Sequence, residues 1–185
     1  MLTFDDGPHP GATPKVLDLL AKHGFKATFF LVGHNISGKT YPLVQRMLAE
    51  GHTLGSHTYN HDVKMSVRQN GERSIEYIRG GHEATQILIE LALMAQSEAD
   101  FDAMFTRVFQ EKPGTYLSGG SLRRDWRAFA ERHQALLGER GYGNGKRPYP
   151  IVFSRPPAGT PTSGCRAPRR STSTPRRSSA WVGST

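Results

Sequence analysis

An alternation of short apolar runs with amphipathic segments fills residues 1–57, and it constrains the fold more than any other feature of the chain. Met1 to Phe4 leads into Asp5-Asp6-Gly7-Pro8, which reads as the end of a buried strand followed by a turn. Thr13-Pro14 opens a helix, a capping hydroxyl with proline at the first helical position, and Val16, Leu17 and Leu20 give it an apolar face. Gly24 stops it, and Ala27 to Val32 is a short buried strand. The pattern repeats: a helix from Tyr41-Pro42 with Leu43, Val44, Met47 and Leu48 on one face, a stop at Gly51, then a strand from His52 to Ser56. Strands alternating with helices build a parallel sheet, so the fold class is α/β.

The chemistry sits where those strands end. Asp5 and Asp6 close the first strand, and His57-Thr58-Tyr59-Asn60-His61 follows the third. Open α/β folds place their sites at carboxyl ends of strands. Neighbours on an extended backbone point to opposite sides, so the two aspartates are expected to face different ways, one toward a metal and one toward a reacting group. A carboxylate with two imidazoles four residues apart is a three-ligand set for a divalent ion, with zinc, cobalt and nickel suited almost equally by ligand type. Asp-Asp-Gly-Pro alone is an ordinary turn signal; the two histidines are what raise it above that. His9 and His34 follow strand ends and are open between lining the site and lying in loops.

Further along, Glu83–Gln96 reads as a helix, Ser97 caps a second with Phe101, Met104, Phe105 and Val108 on its apolar side, and Pro113-Gly114 stops that one. Ser121–Leu137 is a third helix, with Leu122, Trp126, Phe129, Ala130 and Leu136 inward. Ile151-Val152-Phe153 is a strand candidate that delivers Ser154-Arg155-Pro156-Pro157. Of the net charge of +8, five units come from arginines in residues 161–185, which contain no acid, leaving +3 for residues 1–160. That distribution argues against nucleic acid as the partner, since the body is only mildly basic. The tail is rich in Arg, Ser, Thr and Pro and is expected to be disordered, and its abrupt onset is compatible with a shifted reading frame. The single cysteine, Cys165, excludes an intrachain disulfide. No run approaches a membrane span, and the opening residues read as a core strand rather than as a leader peptide, so they decide little about what precedes them.

Thr3-Phe4-Asp5-Asp6-Gly7-Pro8 together with His57-Thr58-Tyr59-Asn60-His61, the intervening ATFFLVG stretch and the Arg155-Pro156-Pro157 segment resembles the polysaccharide deacetylase family, the NodB-homology carbohydrate esterases. The resemblance implies an irregular (β/α) barrel and metal-dependent removal of N-acetyl groups from chitin-like or peptidoglycan polymers at the cell envelope or outside the cell. It assigns Asp6, His57 and His61 as metal ligands, most often for zinc. It makes Asp5 the general base, Arg155 its ion-pair partner, and Thr58 a residue that shapes the histidine loop.

The same resemblance exposes departures. Ala158 stands where an aromatic residue usually follows Arg-Pro-Pro, and neither the later Asp-Trp motif nor the Leu-x-His motif with its general-acid histidine appears after Arg155. Asp125-Trp126 falls inside a helix and is a coincidence of sequence. Ninety-three residues separate His61 from Arg155, more than compact members need. The expected organisation is a NodB-like domain over residues 1–160, incomplete at its C-terminus, with a helical insertion at about 64–146 that covers the groove or pairs two subunits. Activity is expected to be impaired, and a carbohydrate- or metal-binding protein that keeps the cleft without turnover is the alternative.

Overall fold

The structure, a computed structural model, describes residues 1–65, 75–143 and 146–157. The expected disordered tail at 161–185, Cys165 and part of the expected insertion lie outside them. Three parallel strands, β1 (Leu2–Gly7), β2 (Ala27–Leu31) and β3 (Thr53–Ser56), form a sheet in the order β1-β2-β3. The connections are α1 (Thr13–His23) and α2 (Tyr41–Ala49), with a 3-10 turn at Gly33–Asn35. Three helices follow: α3 (Ile75–Met94), α4 (Glu98–Phe109) and α5 (Gly119–Glu139). The mixed α/β class with a parallel sheet is as expected.

β2 is buried at every position because it lies between the other two strands. β1 departs from the buried strand expected of it: it has a strand on one side only among the described residues, and Leu2 is 45% exposed. Its register also breaks. Phe4 pairs with Phe29 and Gly7 with Leu31, so Asp5 and Asp6 together oppose the single residue Phe30. This one-residue bulge carries Asp6 to φ 67° and cancels the strict alternation expected for the two aspartates.

Local chemistry accounts for the helix ends. Thr13 is the first helical residue of α1 and no side chain caps the helix at Ala12. Its hydroxyl instead accepts from the His9 amide at 2.9 Å, while His9 Nδ1 accepts from the amides of Gly11 and Ala12 at 3.2 Å each. His9 is thus a local cap for the turn leading into α1. Gly24 at φ 66° closes α1 in the left-handed conformation. Ser97 caps α4 by accepting from the Asp100 amide, and the Asp100 carboxylate reaches back to the Gln96 amide. α4 ends at Phe109 rather than at Pro113-Gly114, because Gln110 itself adopts φ 56° and takes the capping role.

α3 begins eight residues ahead of the expected Glu83. The sequence there contains Gly80-Gly81, which argues against a helix on propensity, but packing overrides it. A Cβ on Gly80 would collide with the Leu122 carbonyl of α5, so the glycine is what allows the two helices to touch. From Ala84 to Ala92 every residue of α3 is buried, the signature of a helix packed on all sides. Its neighbours are α5, α2, α4 and the 3-10 turn. α3 is therefore part of the main core, continuous with Leu17, Phe29, Val44 and Leu54 from the sheet layer.

The strand expected at Ile151–Phe153 does not form. Val152 and Phe153 are 72% and 53% exposed, and the segment makes only a parallel bridge between Ser154 and Ser56. Two backbone bonds hold it, Ser56 N to Phe153 O at 3.0 Å and Arg155 N to Ser56 O at 2.9 Å. With no described strand on its other side, the segment lacks the second ladder that would extend it.

One polar group interrupts the helical core. Glu90 of α3 and His133 of α5 are 0% and 1% exposed, with Glu90 Oε2 3.3 Å from His133 Nε2. Gln86 donates to Glu90 Oε1, and Arg147 lies 3.4 Å from the same oxygen. Burial pushes Glu90 up to about 7 against the partial opposition of Arg147 and Gln86, and pushes His133 down to about 4. The folded state thus holds extra protons at Glu90 as pH rises from 4.5 to 7, which lowers stability with rising pH. At His133 the unfolded state holds the extra proton between pH 4 and 6.5, which raises it.

Two outcomes follow for thermal unfolding. Gly80→Ala is expected to destabilise by about 2 kcal/mol or more through overpacking against Leu122. Glu90→Gln is expected to gain on the parent protein as pH rises from 5 to 8, by roughly 1–3 kcal/mol at the upper end. A difference between the two that is independent of pH would contradict the assignment.

Candidate metal centre

β1, β3 and the 154–155 segment deliver their functional side chains to one rim of the sheet. The β1 bulge presents Asp5 and Asp6, and the Asn35 side-chain amide donates to the Asp6 carbonyl at 2.8 Å, bracing that left-handed residue. β3 ends at Ser56, and His57 N then donates to Leu31 O at 2.8 Å. Gly33 N and His34 N donate to the Thr58 and Tyr59 carbonyls at 2.9 Å each, so the histidine loop is pinned along the residues that follow β2. Tyr59 is buried beneath it, its hydroxyl accepting from the Leu117 amide, and burial pushes the phenol up to about 12.

The pinned loop brings Asp6, His57 and His61 together, one ligand atom from each lying within 4.8 Å of the others. Asp6 Oδ1 is 3.1 Å from His61 Nε2 and 3.4 Å from His57 Nε2. His57 is buried, whereas Asp6 and His61 are open to solvent, leaving the cluster accessible from one side. His57 Nδ1 lies 2.7 Å from the Arg155 carbonyl. A carbonyl only accepts, so Nδ1 carries a proton, and Nε2 is the ring nitrogen turned toward the carboxylate. There Nε2 can offer a lone pair to a cation shared with the Asp6 carboxylate. The donor set therefore fits a divalent metal on its own chemistry.

Asp5 stands beside this cluster. Its Oδ1 accepts from Arg155 Nη1 at 2.8 Å, and its Oδ2 is 3.9 Å from His57 Nε2. Arg155 is fixed from three directions: Asp5, the Thr3 hydroxyl at 3.2 Å, and the face of Phe30, 4.2 Å from guanidinium carbon to ring centroid. A Cβ on Gly55 would press on the Phe30 ring and the Phe153 carbonyl, so glycine there leaves room for the stack.

All five residues singled out from the sequence, Asp5, Asp6, His57, His61 and Arg155, thus lie in one constellation. His34 does not join it: its Nδ1 donates to the Tyr59 carbonyl at 2.9 Å, and its ring lines a separate cavity of about 130 Å3 with Tyr116. Asp125 and Trp126 also lie elsewhere, Trp126 donating to Glu76 on α3. Sequence reasoning missed Thr3, Phe30, Asn35 and the pairing of Ser56 Oγ with His82 Nδ1 at 2.8 Å. Thr3 was open to discovery, since it lies two residues before Asp5 on a strand. Asn35 and His82 carried no signal, because their proximity depends on the chain path between elements.

A parallel α/β sheet with an Asp-His-His cluster at the carboxyl ends of its strands, and an arginine-paired carboxylate beside it, defines the class of site. Residues 1–86 match the sequence profile described as polysaccharide deacetylase. The chain is similar to a peptidoglycan-N-acetylglucosamine deacetylase of Bacillus cereus, with 47% identity over 74 residues, covering 40% of this chain and 26% of that protein. It is also similar to a chitooligosaccharide deacetylase of Rhizobium leguminosarum bv. phaseoli, with 52% identity over 61 residues, 32% of this chain and 26% of that one. The chain spans about a quarter of the length of these two relatives. Among solved structures, a family 4 acetyl xylan esterase from Clostridium thermocellum in complex with a cobalt ion aligns with 31% identity and a TM-score of 0.43, over 52% of this chain and 44% of that one.

Titration of the metal-free protein with Co2+ is expected to show one site per chain. His57→Ala or His61→Ala is expected to lower the affinity about 100-fold or more, as loss of one of three ligands should. Unchanged affinity in either variant would remove that residue from the centre.

Proposed function

We propose that the protein hydrolyses N-acetyl groups on an N-acetylglucosamine-containing polysaccharide, peptidoglycan or a chitin-like polymer, at a metal held by Asp6, His57 and His61. The observation that carries this reading is the bond from His57 Nδ1 to the Arg155 carbonyl, which turns Nε2 toward Asp6 Oδ1 beside a carboxylate already paired to arginine. The match of residues 1–86 to the polysaccharide deacetylase profile and the deacetylase names of the relatives support it. We take zinc as the ion, with an envelope or extracellular location following from the polymers those relatives are named for.

A divalent cation bound here supplies polarisation of the acetamide carbonyl and acidifies a water molecule. The protein's own residues divide the remaining work. Asp5 is placed to take the water's proton as the oxygen attacks the carbonyl carbon, and Arg155 keeps that carboxylate oriented through Oδ1 while Oδ2 faces the cluster. Breaking the C–N bond then needs a proton on the leaving nitrogen. None of the described residues near the cluster replaces the family's C-terminal histidine, so we expect slow turnover, on the order of 10²- to 10⁴-fold below a complete site.

In this proposal residues 1–160 form one NodB-like barrel domain, with about 64–146 as its helical insertion and as the surface that would pair two subunits. Packing of α3 into the main core supports an insertion integral to the fold rather than a separate lid.

Acetate release from an N-acetylglucosamine pentamer tests the function directly. Zinc-loaded protein is expected to release acetate, metal-stripped protein is not, and Asp5→Asn is expected to lose about 10²-fold or more while still binding zinc. Stoichiometric zinc binding and pentamer affinity without acetate release would instead establish the binding-protein alternative.

A further inference from the structure

We propose that His82 is a positioning residue for the histidine loop, acting through Ser56 to hold Thr58 in the backbone conformation that brings His57 and His61 side by side. The proposal rests on the metal-centre reading for its functional consequence, but the contacts that carry it are independent of any ion. Thr58 is β-branched, has φ 69° and is 0% exposed. A branched residue in the left-handed region is strained and persists only where its surroundings over-determine it.

The restraints on Thr58 are few. Its carbonyl accepts from Gly33 N, its buried hydroxyl has no hydrogen-bond partner, and its amide donates to Ser56 Oγ at 3.3 Å. That amide bond curls the backbone between β3 and the loop. Its strength depends on where the Ser56 hydroxyl points. A hydroxyl that accepts from an amide keeps one proton and one lone pair, and His82 Nδ1, 2.8 Å away, pairs with it and fixes which way each points. The chain of bonds runs from Thr58 N–H to Ser56 Oγ and on to His82 Nδ1.

α3 is built to bring His82 there. A Cβ on Gly80 would collide with the Leu122 carbonyl, so the glycine lets the helix seat against α5. Gly81 faces the histidine loop, where an added Cβ would lie 3.8 Å from Tyr59 N and 3.9 Å from the Thr58 side chain. The helix thus passes directly over the loop it braces, and His82 is the next residue. It also lines a cavity of about 480 Å3 with Glu83, Arg147 and Trp126, which gives the ring a partly open flank.

The test compares His82→Phe, His82→Asn and Ser56→Ala with the parent chain by Co2+ titration, by the visible absorption of the Co2+ form, and by hydrogen exchange of the Thr58 amide in metal-free protein. His82→Phe is expected to weaken Co2+ binding about 10- to 100-fold and to shift its ligand-field bands, the scale typical of groups that orient a ligand. It is also expected to speed Thr58 exchange about tenfold or more. His82→Asn keeps a polar atom near the Nδ1 position and is expected to restore both, which a role in packing alone would not predict. Adding His82→Phe to Ser56→Ala is expected to cost nothing further, because both act through one bond.

Parent-like affinity and parent-like Thr58 exchange in His82→Phe would overturn the proposal. Should His82→Phe fail to fold, Ser56→Ala and His82→Asn carry the same readouts. Failure of the parent chain to bind Co2+ would overturn the metal-centre reading instead, and Thr58 exchange would still decide the role of His82.

Discussion

The docking of Ser154-Arg155 onto the end of β3 is the contact on which the candidate centre depends. Two backbone bonds to Ser56 place a segment almost a hundred residues downstream beside the three-stranded sheet. From that one position the Arg155 carbonyl fixes the tautomer of His57 and the Arg155 side chain pairs with Asp5. A single residue thus orients the His57 imidazole through its backbone and the Asp5 carboxylate through its side chain. Phe30 and Thr3 hold the guanidinium in place, so the strands under the site also set its charge arrangement.

Irregularity at strand ends does the rest. A regular β1 would send Asp5 and Asp6 to opposite faces; the extra residue in the bulge lets both carboxylates approach His57 while meeting different second partners. Asp6, Thr58 and His61 all have positive φ, at 67°, 69° and 49°. Three non-glycine residues in that region within one site amount to backbone strain concentrated where the chemistry is. The surrounding bonds from Asn35, Gly33, His34 and Ser56 are what hold it.

The helices that follow the histidine loop belong to the same structure. α3 contributes a fully buried face to the core, braces the loop from above, and receives α5 across Gly80. The buried Glu90–His133 pair lies at that helix junction, away from the Asp6–His57–His61 cluster, and couples core stability to pH. The departure of α3 from its expected start has the same origin as its importance: a glycine pair that weakens helix propensity is what permits close packing on both sides.

By itself the sequence determined the order of the first three strands and two helices, because apolar periodicity and glycine or proline punctuation are local signals. It also determined which side chains could bear chemistry, since Asp5, Asp6, His57, His61 and Arg155 are marked by residue type and short-range spacing. Tertiary structure decided what those residues do to one another. The bulge that turns Asp5 and Asp6 to one side, the reach of Arg155 across the sheet, the brace of His82 and Ser56, and the loss of the strand at 151–153 all arise from register and from partners distant in the chain. Those depend on which backbone groups find a neighbour, and no window of sequence contains both.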